Sequence, residues 1–218
     1  MLLPLRPGEL ERLIPAVASG NQFSSALGDP QKILQRVLIA TIGGVISFLF
    51  SASQTGNQFS SVWLVVCVVF FTYLLWGPIL EAGRMNSRLR RIPFAAMFEG
   101  EIGDVFTREL VENRHEQANS RGELELVENR RLWMILHIED EDGYLGELRF
   151  PMDKKHNSIR QGLCIRCVVL SENKDFRRIS ALTDAWIPAQ RLWVGEYPFL
   201  LRPAFEELCI LRLSKRRS

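Results

Sequence analysis

Charge disappears from one long interval of this chain. Between Val37 and Leu80, 44 consecutive positions carry no Asp, Glu, Lys or Arg. Crossing ~30 Å of hydrocarbon takes roughly 20 apolar residues at the helical rise, and two segments meet that length. The first, Ile33 to Ala52, contains VLIATIGGVISFLF; the second, Val62 to Leu80, reads VWLVVCVVFFTYLLWGPIL. Trp63 lies near one end of the second, and Tyr73 and Trp76 towards the other, as in an aromatic belt. A soluble helix of that length would carry a polar face. Both segments are therefore expected to be transmembrane helices, joined as an antiparallel hairpin by the short uncharged connection Ser51 to Ser61.

Cations orient the hairpin. Arg6, Arg12 and Lys32 precede the first segment and Arg36 stands at its entry, Arg84, Arg88, Arg90 and Arg91 follow the second, and the connection has none. The positive-inside rule puts both flanks, and with them both termini, on the cytoplasmic or stromal side. The polar stretch ahead of the first segment argues against a cleaved signal peptide. Lys32, Arg36, Arg84, Arg88, Arg90 and Arg91 are the candidate contacts to lipid headgroups, a role that simple topology determination would satisfy equally. Gly43 and Gly44 are candidate helix–helix contacts, or merely tolerated small residues. Gly77 and Pro78 are expected to bend or end the second helix, since proline lacks the amide proton and clashes with the preceding turn. Past Arg36 at the entry of the first, neither segment carries an Asp, Glu, Lys or Arg, which argues against an ion path or proton relay there.

Four regions follow from the pattern. Residues 1–32 form an N-terminal segment in which GELERLIPAVAS (Gly8 to Ser19) has helical apolar spacing; it would lie along the membrane surface or pack on the protein's own inner domain. Residues 33–91 are the hairpin with its basic flank. Residues 92–211 change to short β-like runs, and 212–218 form a basic tail. Candidate strands are Ala96 to Ile102, Val105 to Val111, Glu123 to Val127, Leu132 to Ile138, Gly146 to Phe150, Leu163 to Leu170 and Arg178 to Leu182. The fold class expected is α+β, the hairpin followed by a small cytoplasmic β-barrel-like domain of OB or SH3-like layout, because closure removes exposed strand edges. ELVENR occurs at Glu109 to Arg114 and again at Glu125 to Arg130, consistent with the two arms of a polar hairpin; a helix over Thr107 to Asn119 is the alternative. GNQFSS also occurs twice, at Gly20 to Ser25 and Gly56 to Ser61.

Composition narrows the chemistry. With 27 Lys+Arg and 25 Asp+Glu in 218 residues, the net charge is only +2. The β-rich region is acidic, Ile92 to Leu211 holding 15 basic against 21 acidic residues, so it would repel phosphate and nucleic acid is not an expected partner. Cys164 and Cys167 form a CxxC inside a β-run, where positions i and i+3 point to opposite faces, not at a helix N-terminus where a reactive pair would sit. Cys67 and Cys209 supply no second pair for zinc. His115, His137 and His156 share no ligand spacing, and Asp140, Glu141 and Asp142 read as an acidic turn. Phosphate-loop, dinucleotide, zinc-protease and nucleophile-elbow motifs are absent. Neither a catalytic constellation nor a cofactor or metal is expected. WVGEYPFLLRPAF, Trp193 to Phe205, either covers one end of the barrel or docks a partner through Trp193, Tyr197 and Phe199.

The segments RLIPAVASG, LQRVLIATIGG and DAWIPAQRLWVGEYPFL, taken with the two-helix hairpin between them, make the chain similar to a family of small membrane proteins of cyanobacteria and chloroplasts. That family is generally of unknown function and is sometimes labelled as phosphate-transporter permeases. The resemblance implies a thylakoid or plasma-membrane location and a link to the photosynthetic apparatus. The permease label fits these residues poorly, because a transport path needs many helices and polar intramembrane groups. The function expected is a non-enzymatic membrane scaffold or assembly factor whose partners are the bilayer and another membrane complex, with no small-molecule substrate. An oligomeric transport component and a thiol-based regulator using Cys164 and Cys167 are the rivals.

Overall fold

A computed structural model describes residues 1–6, 8–53, 60–118, 124–141 and 143–217. The chain is α+β and divides into two compact units. One, of residues 11–91 and 199–218, is helical; the other, of residues 1–10 and 92–198, is built on a seven-stranded antiparallel sheet. The break at Arg91/Ile92 is where the pattern changes from apolar helix to strand. The outer boundaries differ from the four-region reading. Residues 1–10 belong with the sheet, and residues 199–218 with the helices, because side chains distant in sequence complete each core. The second GNQFSS copy, the hairpin connection and Asp142 fall wholly or largely outside the described residues.

In the helical unit, α1 (Glu9–Leu13) is a single turn whose Leu13, with the following Ile14, is fully buried. Those two residues pack on the protein's own interior, while Val17 of the same segment is exposed. Helix α2 (Gly20–Leu27) starts at a capping box: Ser19 Oγ accepts the Gln22 amide, and Gln22 Oε1 accepts the Ser19 amide at 3.0 Å. Helix α3 (Pro30–Ser53) begins at an Asp-Pro pair. The Asp29 carboxylate accepts the Gln31 amide at 3.0 Å, and proline occupies the first turn, where its missing donor costs nothing. At 24 residues it extends about 36 Å, long enough to cross a bilayer.

The second apolar segment is broken. Helix α4 (Ser60–Phe71) and helix α5 (Tyr73–Arg90) meet at Thr72 with a bend of 69°. The expected kink at Gly77 and Pro78 is therefore misplaced by six residues. Helix α5 runs through both, because restarting at Tyr73 leaves Pro78 early in the helix, where it forfeits one hydrogen bond. At the break Val69 O takes side-chain donors, Thr72 Oγ1 at 3.2 Å and the Trp76 indole at 3.0 Å, while Val68 O keeps the Thr72 amide at 2.9 Å. Such substitution is what a bend in an apolar environment requires. The last helix, α6 (Arg202–Arg217), buries Phe205 and Cys209, and just before it the Leu201 amide donates to Leu13 O at 2.8 Å.

The sheet consists of β1 (Leu2–Pro4), β2 (Phe94–Ala118), β3 (Leu124–Asp140), β4 (Gly143–Pro151), β5 (Cys164–Ser171), β6 (Ile179–Ile187) and β7 (Leu192–Val194), ordered β4-β3-β2-β5-β6-β7 with β1 on β2. Two pairs of candidate strands are each one element. Ala96 to Ile102 and Val105 to Val111 merge in β2 across a bulge at Gly103, and the candidate strand ending at Val127 joins Leu132 to Ile138 in β3, which begins at Leu124. Residues 107–118 are strand, not helix, since they run in antiparallel register with Leu124 to Met134 of β3. Neighbouring strands cover only part of this pair: β5 reaches Phe94 to Glu101, and β4 reaches Trp133 to Asp140. Beyond them Leu110–Ala118 and Leu124–Arg131 form a two-stranded ribbon. Its register sets Val111 against Arg130, Asn113 against Asn129 and Arg114 against Glu128, so the two ELVENR copies run opposite one another.

The core lies on one face, around Phe98, Leu136, Ile138, Phe150, Ile165 and Ile187. Strand β5 is buried on both faces from Cys167 to Ser171. Glycine permits the sheet to coil: a Cβ at Gly100 would sit 2.2 Å from the Glu139 carbonyl, and one at Gly146 2.8 Å from Leu182 Cδ1.

Candidate functional site

The polar chemistry of the helical unit gathers on α5. Asn86 and Gln22 are wholly buried and hydrogen-bond through both ends of their amides: Gln22 Nε2 donates to Asn86 Oδ1 at 2.8 Å, and Asn86 Nδ2 donates to Gln22 Oε1 at 3.0 Å and to Pro15 O at 2.8 Å. The same Gln22 oxygen closes the α2 cap. One side chain thus ties the helix start, α5 and the Pro15 turn together, which places Ala16 and Val17 beside Gly83. Sequence reading misses this pair, because Gln22 belongs to a repeated polar hexapeptide and Asn86 sits inside a cation cluster.

The six candidate headgroup cations separate into two classes. Arg36 is buried, donating to Ala26 O at 3.0 Å and to Glu81 at 2.5 Å, and Lys32 also reaches Glu81 at 2.9 Å. Both cations are thus compensated by one carboxylate, Arg36 from a buried position and Lys32 from a half-exposed one. The reason is Glu81, which follows the uncharged interval directly and which the three-dimensional path brings against the start of α3. Arg90 pairs with Glu11 at 3.5 Å. Arg84, Arg88 and Arg91 remain exposed, and no carboxylate among the described residues lies within ion-pair distance of them. Two clefts flank these arginines. One, of 580 Å³, is lined by Lys32, Arg36, Tyr73, Trp76, Glu81 and the Arg84–Arg88 edge. The other, of 500 Å³, lies between Ala16–Val17 and α5 and contains Arg84, Ser87, Arg88 and Arg91 with no acid.

Gly43 and Gly44 face α4. A Cβ at Gly43 would fall 2.2 Å from the Phe70 ring, one at Gly44 2.9 Å from the Phe71 ring, and the Cys67 thiol donates to Gly44 O at 3.4 Å. Phe50 and Trp63 stack at 5.0 Å along the same pair of helices. Gly77 packs on Tyr73, with its Cβ position 3.4 Å from that ring.

In the β unit, one cross-strand row carries most of the polar and aromatic chemistry: Glu99, Arg166, Trp186 and Trp193 are successive register partners. Arg166 bonds Glu99 at 2.6 Å and lies 5.6 Å from the centre of the Trp186 ring, which stacks with Trp193 at 6.5 Å. Trp193 is thus one end of a packed row. Tyr197 and Phe199 are half-buried. Cys164 shares this face, 3.9 Å from Glu99, while Cys167 is buried on the opposite one. Burial pushes the Cys164 thiol up, away from the thiolate that exchange chemistry needs. His137 lies against Phe106, and His156 is buried against Phe150, accepting the Asp153 amide on Nδ1 at 3.0 Å. Burial lowers the His156 pKa. His115 lies on the ribbon in β2. Among the described residues no group of three His, Cys, Asp or Glu side chains is placed to hold a metal ion.

These observations define an α+β protein with a curled antiparallel sheet and a helix long and apolar enough to cross a membrane. The chain belongs to a family of unknown function, DUF8619, whose model matches residues 3–213. No curated protein and no solved structure matches it.

Proposed function

We propose that this is a non-enzymatic integral membrane protein in which α3 and the bent α4–α5 pair cross the bilayer as a hairpin. The β unit follows α5 on the cytoplasmic or stromal side, where it binds and helps assemble a membrane complex. The observation that carries this reading is the exposure of α3. Only 22% of its apolar window is buried, whereas a soluble core helix would be mostly covered. The break at Thr72 fits the same setting, because Val69 O there accepts the Thr72 hydroxyl and the Trp76 indole, side-chain donors that need no water. Cations on both flanks support the orientation. We further read the sheet as a half-open barrel in which β4 curls towards β6, on the strength of the Gly146–Leu182 approach. The similarity to cyanobacterial and chloroplast membrane proteins makes a photosynthetic complex in the thylakoid the first partner to seek.

Gly43 and Gly44, which favoured an oligomeric transport component, are occupied by Phe70 and Phe71 of the same chain. The raised Cys164 thiol weakens the regulator reading. Carbonate washing tests the anchor, and deletion followed by native-gel quantification of membrane complexes tests the role. The proposal predicts retention in the membrane and depletion of at least one complex, with crosslinked subunits recovered in mild detergent. Release into the supernatant, or unchanged complexes with no specific crosslink, overturns it.

A further inference from the structure

We infer that the groove between Ala16–Val17 and α5 is a binding site for one anionic glycerophospholipid, an inference that rests on the membrane reading above. Arg84, Arg88 and Arg91 recur at i, i+4 and i+7, so one face of α5 presents three guanidiniums to the groove. The contrast across the helix decides the ligand's sign. On the Lys32–Arg36 side Glu81 already compensates two cations. On the Ala16 side no acid lines the groove, and Ser87 adds a hydroxyl donor. Guanidiniums bind phosphate oxygens in a forked geometry, which makes a phosphodiester a fitting occupant.

The groove's other end decides that the phosphate belongs to a lipid. Val17 is 65% exposed, and Ile79 and Leu80, which close the uncharged interval, are also open. An apolar stripe continuous with an arginine stripe matches a molecule with acyl chains at one end and an anionic headgroup at the other. A free phosphate would use only half of it. The buried Gln22–Asn86 pair makes the site a built feature, since it fixes both walls.

The test uses the full chain, purified in neutral detergent and titrated with phosphatidylglycerol, phosphatidylcholine or inorganic phosphate, with bound lipid counted by native mass spectrometry. One phosphatidylglycerol per chain is expected, in preference to phosphatidylcholine. The triple change Arg84→Gln, Arg88→Gln and Arg91→Gln should weaken it by about tenfold or more. The same loss of charge at Lys154, Lys174 and Arg177, exposed in the β unit, should change it by less than about twofold, as expected for remote screened charges. Gly83→Leu keeps every charge while filling the groove floor, and should also abolish the preference. Equal loss in the two triple variants, equal binding of phosphatidylcholine, or full competition by inorganic phosphate overturns the inference. Carbonate extraction of the same variants separates the two ideas. A wild-type chain that is extracted sinks the membrane reading itself, whereas an anchored chain without lipid preference sinks only the groove.

Discussion

The two units solve opposite packing problems. In the helical unit the buried set includes Gln22, Arg36, Ser47, Ser51 and Asn86, while Leu34, Leu38, Leu49, Val65 and Val68 face outward. In the β unit Phe98, Leu136, Ile138 and Phe150 are inside, and acids and bases cover the surface. The difference teaches what surrounds each. Apolar burial from water organises the sheet. Polar pairing and close contact at small residues organise the helices, the pattern that the proposed membrane setting calls for.

The largest expected effect breaks the sheet. Phe98→Ala should cost about 3–5 kcal/mol in the unfolding of the β unit, since a fully buried ring leaves a cavity. Leu49→Ala, at an outward-facing position, should cost less than about 0.5 kcal/mol in detergent. Comparable losses at the two positions, measured by thermal melts, would erase the contrast. Next, Glu81→Gln leaves Arg36 buried without a counterion. Partial exposure of Glu81 holds the expected cost to roughly 2–3 kcal/mol, below that of a fully buried pair. Urea titration of the helical signal should reveal it, and an unaltered midpoint would mean the pair contributes nothing.

Asn86→Ala orphans the Gln22 amide and Pro15 carbonyl and should cost about 1–3 kcal/mol. Its sharper readout is protease sensitivity at Ala16–Val17, which should rise if that wall is held by Asn86. Trp76→Phe keeps the ring but removes the donor to Val69 O, for about 1 kcal/mol. A stability identical to wild type would mean another donor serves the break.

The smallest effect is a pH dependence of the β unit. His156 is neutral in the fold because burial lowers its pKa from 6.5. Its contribution is complete above pH 6.5 and is lost as pH falls through 6.5 towards the lowered value, since the unfolded chain then binds the extra proton. His156→Gln should flatten that part of the stability profile between pH 7 and 5. An unchanged slope would assign the dependence to other groups.

Position 164 shows why parts of this protein are legible from residues alone. In LCIRCVVL, alternation puts Cys164 and Cys167 on opposite faces whatever surrounds them, and the structure has them so. Glu81 shows the reverse: ending an uncharged run, it reads as a boundary, and only the return of α5 beside α3 makes it the partner of Lys32 and Arg36. Thr72 is similar, because Pro78 is the stronger local breaker and yet the helix breaks where Thr72 and Trp76 can both donate to Val69 O.

By itself the amino-acid sequence determined the charge-free interval, the change to strands near Ile92 and the separation of the CxxC pair. Each depends on local composition or on a period of a few residues. Tertiary structure decided which cations are compensated, where the second helix bends, that β2 is one strand, and that Gln22 meets Asn86. Those outcomes depend on which distant groups satisfy one another, and a hydrogen bond or an ion pair between remote positions leaves no periodic trace along the chain.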